Sequence, residues 1–135
     1  MNILVIDAQG GGIGKQLVAR IKREYPDEQI TAVGTNSIAT SAMIKAGADQ
    51  GATGENSVVV ACKTADVIIG PVGIVITDAM LGEITETIAR AVAQANATRI
   101  LIPFNMCDTL VAGIAATGTG SLIDAAMQTL RSVLE

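Results

Sequence analysis

The segment that most constrains this chain is "NILVIDAQGGGIGKQLVARI", residues 2 to 21. A continuous apolar run, Ile3 to Ile6, has the character of a strand buried on both faces of a parallel sheet. It ends in Asp7 and opens into Gly10, Gly11, Gly12 and Gly14. A helical pattern follows from Lys15 to Glu24, with Leu17, Val18 and Ile21 at helical spacing. Glycines between a strand and a helix let the backbone approach an anion closely, and the helix start supplies free N–H groups. A strand, glycine turn and helix of this kind is the opening unit of a nucleotide-binding α/β domain.

The rest of the chain repeats the alternation. Ile30 to Val33 reads as a second strand ending at Gly34. Asn36 or Ser37 caps a helix through Lys45, with Gly47 just past its end. "GADQGATGEN" has room for only a very short strand, and "SVVVACKTA" reads as a helix. "DVIIGP" is the clearest later strand. "VGIVITDAMLG" fits either a strand or a buried helix by periodicity. Thr85 caps a helix to about Asn96, "RILIPFN" and "TLVAGI" read as strands, and "GTGSLIDAAMQTLRSVLE" as a helix with Leu122, Met127, Leu130 and Leu134 on its apolar side. The expected architecture is one domain, residues 1–135: a minimal Rossmann-like, doubly wound α/β fold with a mostly parallel sheet and helices on both faces.

Composition removes several functions. There is no histidine, which excludes Ser-His-Asp and Cys-His chemistry and the common zinc sites. Cys62 and Cys107 are too far apart for a metal-ligand motif, so no metal site is expected. One Tyr, one Phe and no Trp leave no aromatic platform for flavins or single-stranded bases, and a net charge of −4 without a basic stripe argues against nucleic acid. Arg20, Lys22 and Arg23 fall at the end of the first helix, where cations complement its dipole. Met1 runs directly into a strand and the longest apolar region is too short to span a bilayer, so neither a leader nor a membrane segment is expected, and a cytoplasmic location is the default.

Four loops would gather at the carboxyl edge of such a sheet. In the first, Gly10, Gly11, Gly12, Ile13 and Gly14 would cradle phosphates and Lys15 would supply countercharge. Gln16 stands where a P-loop needs Ser or Thr for Mg²⁺, which counts against ATP hydrolysis. Asp7 either fixes the glycine turn through loop amides or acts in catalysis or metal binding. In the second loop, Thr35, Asn36 and Ser37 stand where NAD-specific folds place an acid for the ribose. Neutral donors there favour NADP over NAD, unless they serve only as helix caps. The third loop, Gly70, Pro71 and Gly73, has the small residues that let a ribose pass, or is a simple turn. The fourth, "PFNMCD", would bring Asn105 to the cofactor and Cys107 to the cleft.

The chain resembles a family of small single-domain bacterial Rossmann-like proteins described as a domain of unknown function. The likeness rests on "IDAQGGGIGKQLV", "ITAVGTNSIATSAMIKAGAD", "GATGEN", "ADVIIGPVGIVI", "LGEIT" and "RILIPFNMC". It implies a single Rossmann-like domain and no settled activity. From the residues, the leading expectation is a nucleotide-binding protein, dinucleotide and NADP-leaning, as sensor, carrier or small oxidoreductase. The absence of a Tyr-x-x-x-Lys relay weakens a short-chain dehydrogenase. A second expectation is a homo-oligomeric structural or regulatory subunit, from a mean hydropathy of +0.49. A third is a small hydrolase or transferase acting on a phosphorylated metabolite through Asp7, Asp78 or Cys107.

Overall fold

Ile3 and Val5 face one side of the first strand and Leu4 and Ile6 the other, and all four are buried. Alternate residues of one strand therefore feed two separate cores, which forces helices onto both faces of the sheet. The computed structural model, which describes residues 1–104, 109–114 and 118–135, has that arrangement. Its elements are β1 (Asn2–Asp7), α1 (Gly12–Glu24), β2 (Gln29–Gly34), α2 (Ser37–Lys45), β3 (Gln50–Thr53), α3 (Glu55–Cys62) and β4 (Val67–Pro71). A 3₁₀ turn (Val72–Val75), α4 (Glu86–Gln94), β5 (Thr98–Ile102) and α5 (Thr119–Leu134) follow.

The five strands run parallel in the order β3-β2-β1-β4-β5. This is the Rossmann order, with the reversal of winding between β1 and β4. Leu17, Val18 and Ile21 of α1, Met43 of α2, and Ile123, Met127 and Leu130 of α5 cover one face. Val58 and Cys62 of α3, with Ile88 and Val92 of α4, cover the other. The buried stripe of α5 starts at Ile123 and runs through Ala126, Met127 and Leu130; Leu122 and Leu134 only flank it.

Local chemistry sets the ends of the helices. The Asn36 side chain accepts from the Ala39 N–H at 2.9 Å and starts α2. Gly47, at φ 119°, ends it: the Gly47 N–H reaches the Ile44 carbonyl and the Ala48 N–H the Met43 carbonyl, the paired bonds of a Schellman turn. Thr85 caps α4 through the Ile88 N–H at 3.2 Å. Two of the cations of α1 are held by acids: Arg20 by Glu24 at 3.0 Å and Asp124 at 2.6 Å, and Lys22 by Asp49 at 2.7 Å.

Two expectations need correction. "VGIVITDAMLG" is neither strand nor buried helix. After the 3₁₀ turn it is a looped segment in which Asp78, Met80, Leu81 and Gly82 all have positive φ, a conformation incompatible with either regular element. "TLVAGI" is not a strand beyond an isolated bridge at Thr109, because the chain turns at Ala112 and Gly113.

Candidate functional site

The carboxyl ends of β1 and β4 part where the winding reverses, and the loops that leave them line a cavity of about 660 Å³. Its floor is Asp7 to Ile13. Its walls include Pro71 and Gly73 after β4, Met80 and Leu81 from the looped segment, and Phe104 beyond β5. The volume lies within the usual range for small-molecule sites, and the position is where open α/β sheets take ligands.

The glycine loop divides into two pairs by what a methyl group would meet. A Cβ on Gly14 would lie 2.5 Å from Met43 Sδ and 2.9 Å from Asp7 Cβ. Gly11 caps α1 at φ 73°, and its Cβ would lie 2.9 Å from the Ala39 Cα. These two glycines let α1 close onto α2 and β1, so the fold itself requires them. Gly10 and Gly12 are different. A Cβ on either meets nothing within 4 Å, neither has a positive φ, and both line the cavity. Nor does the N–H of either donate to another group among the described residues.

Asp7 organises the loop from beneath. Its Oδ1 accepts from the Ala8 N–H at 2.8 Å and its Oδ2 from the Gly14 N–H at 2.7 Å. Only 4% of the residue is exposed, and burial holds its pKa above the ordinary carboxylate value. Bonds from the Gly14, Ala8 and Ile13 amides oppose that rise, and the charge of Glu83 adds to it. Lys15 does not line this cavity. It faces an open groove between α1 and α2, beside Ser37 and Lys45. The described lining residues therefore include no cation, and an anion here would be met by backbone N–H groups and the helix dipole.

Thr35 and Asn36 stand at the tip of β2 as anticipated, but they are engaged. The Thr35 hydroxyl donates to Glu83 Oε1 at 2.7 Å, the Asn36 amide at 2.9 Å, and the Gln9 backbone N–H at 2.8 Å. Burial alone would raise the Glu83 pKa, but bonds from Thr35, Gln9 and Asn36 outweigh it and hold the carboxylate below its usual value. This acid, supplied from the segment after β4, is the residue that sequence reasoning missed. Its one local signal was an acid directly after a glycine turn in "LGEIT".

The remaining candidates separate. Gly70 lies in β4, where a Cβ would strike the Ile6 carbonyl oxygen of β1, so its role is strand packing. Pro71 and Gly73 line the cavity. Asp78 is exposed in the looped segment and is absent from the lining; its N–H donates to the Ile84 carbonyl at 2.7 Å. Asn105 and Cys107 lie outside the described residues. Cys62 is core, its thiol pushed by burial up to about 11. Among the described residues no group of three His, Cys, Asp or Glu is placed to hold a metal, and no helix is long and apolar enough to cross a membrane.

Residues 2–135 match the model of a family described as a domain of unknown function (DUF3842), and the chain belongs to that family. No curated protein matches it. Among solved structures it is similar to a dodecameric FMN-dependent Ubix-like decarboxylase from Escherichia coli O157:H7. The identity is 17%, the match covers 98% of this chain and 75% of that one, and the TM-score is 0.46.

Proposed function

We propose that this member of the DUF3842 family binds a nucleotide in the cavity at the β1–β4 switch, a phosphate resting on the Gly10 and Gly12 amides. The observation that carries the reading is that the fold has no steric need of glycine at either position. Both open onto the cavity, and both leave an N–H without a partner among the described residues. Glycine at such places serves the approach of something outside the chain.

The ligand is of the dinucleotide class, NAD or NADP. From the glycine amides it extends one way past Pro71 and Gly73 and the other way toward the tip of β2. Neutral donors alone at the β2 tip would favour NADP. Glu83 makes the tip acidic, so the choice between the two depends on that residue. A thermal-shift panel with NAD, NADP, their reduced forms, FMN, ATP, GTP, AMP and coenzyme A tests the reading. A ligand at 100 times its Kd adds about 2.7 kcal/mol, roughly 5 to 10 °C for a domain of this size. A flat response to every nucleotide removes it.

Catalysis through Asp7 finds no support in this geometry, since both carboxylate oxygens are committed to the loop. Self-association remains part of the proposal. Ile38 and Ile44 are exposed on α2, Ile38 beside the groove with α1, and a second copy is the occupant expected there. Light scattering that shows only monomer across concentration counts against it.

A further inference from the structure

We infer that the Gln9 N–H, Thr35 hydroxyl and Asn36 amide form an anion subsite that the chain's own Glu83 occupies, and that a phosphate on the ribose of a bound nucleotide takes Glu83's place. Three donors from two different loops converge on a single oxygen, at 2.7, 2.8 and 2.9 Å. Convergence of that kind suits one ionised oxygen and is as well met by phosphate as by carboxylate. The donors are held independently of Glu83. Asn36 also donates to the Gln9 carbonyl at 2.9 Å and caps α2, and the Thr35 N–H donates to the Asp7 carbonyl at 3.1 Å. The notch therefore persists when its occupant leaves. It also borders the cavity, because Gln9 belongs to both.

The occupant is carried on the looped segment after β4, and its side chain is only partly buried, so it can leave the notch by rotating while the backbone stays in place. Asp78, Met80 and Leu81 have φ of 66, 57 and 59°, a backbone state that costs non-glycine residues energy. Leu81 is 97% exposed although it borders the cavity, while Ala79 and Ile84 anchor the segment on either side. Withdrawing Glu83 breaks three hydrogen bonds of its own, and an incoming phosphate makes the same three. Glu83 and a ribose phosphate cannot share the notch, since two anions would then compete for one set of donors. Glu83 is thus a competitive gate on nucleotides phosphorylated on the ribose and leaves unphosphorylated ones nearly untouched.

The ligand's identity rests on the nucleotide reading; the subsite does not, and the test separates them. Wild type, Glu83→Ala and Glu83→Gln are titrated with inorganic phosphate, NAD and NADP, following Tm and calorimetric affinity. Millimolar phosphate is expected to raise the Tm of Glu83→Ala and not of wild type, and Thr35→Val added to Glu83→Ala should abolish the gain. Glu83→Ala should tighten NADP by about tenfold or more, as expected when a competitor for charge-assisted bonds is removed, and change NAD by less than about threefold. If Glu83→Ala does not fold, Glu83→Gln, which keeps an acceptor oxygen but no charge, carries the NADP-to-NAD comparison. An unchanged ratio together with no phosphate effect overturns the subsite even where NAD binds. Phosphate stabilisation of Glu83→Ala with no nucleotide binding upholds the subsite and removes the nucleotide reading instead.

Discussion

Replacing Gly12 with alanine should separate binding from folding. Gly12 is the first residue of α1, its φ is not positive, and an added Cβ has no neighbour within 4 Å. Gly→Ala at a compatible site stabilises by about 0.4–1 kcal/mol, mainly by reducing the freedom of the unfolded chain. For 135 residues this raises Tm by about 2 to 5 °C. On the proposed reading, the same methyl group would crowd the approach of a phosphate oxygen to the amide. Losing one charge-assisted bond of about 1.5–3 kcal/mol weakens binding roughly tenfold to a hundredfold. Gly12→Ala should therefore melt higher than wild type without ligand and respond far less to nucleotide, and Gly10→Ala should behave alike. Gly14→Ala should do the reverse: with Met43 Sδ at 2.5 Å from the new Cβ, overpacking costs about 1–3 kcal/mol before any ligand is added. Scanning calorimetry with and without nucleotide reads both quantities. Full nucleotide affinity in Gly12→Ala would refute the reasoning, as would a large loss of stability in its unliganded form.

Asp7→Ala removes the acceptor of the Ala8 and Gly14 amides and should lower stability by about 1–3 kcal/mol in urea titration; an unchanged midpoint would mean the glycine turn does not depend on it. Thr85→Ala should cost about 1 kcal/mol through loss of the α4 cap, while Thr85→Ser retains most of it, and equal losses in the two would rule out capping as the cause. Cys62 makes stability depend on alkaline pH. Its folded pKa of about 11 exceeds the unfolded 9.0, so its contribution is whole below pH 9 and is lost as pH rises toward 11. Two units set an upper bound of about 3 kcal/mol, of which about 2 kcal/mol falls between pH 8 and 10.5. Denaturation at pH 8 and 10.5 should show that slope in wild type and not in Cys62→Ala.

The strands and most helices were legible because their signals are local. Ile3 to Ile6 can be buried on both faces only in a sheet covered by helices, and Asn36, Gly47 and Thr85 carry their capping chemistry in their own side chains or lack of one. Lys15 was misplaced for a related reason. The helical pattern was read from Lys15, but α1 begins at Gly12, so Lys15 is already a turn inside the helix and faces α2 rather than the loop mouth. Reading the flanking glycines as part of the helix would have moved it.

Glu83 was illegible for a deeper reason. Its partners lie 47, 48 and 74 residues away, and it arrives on a segment with neither helical nor strand period. The sequence showed a neutral β2 tip because the acid belongs to another loop. That placement has a consequence an acid built into β2 would not have. A carboxylate fixed on a strand sets one preference permanently, whereas one carried on a looped segment can be withdrawn when a better anion arrives. On the proposed gating, Glu83 would make affinity at the β2 tip depend on the charge of the ligand's ribose substituent.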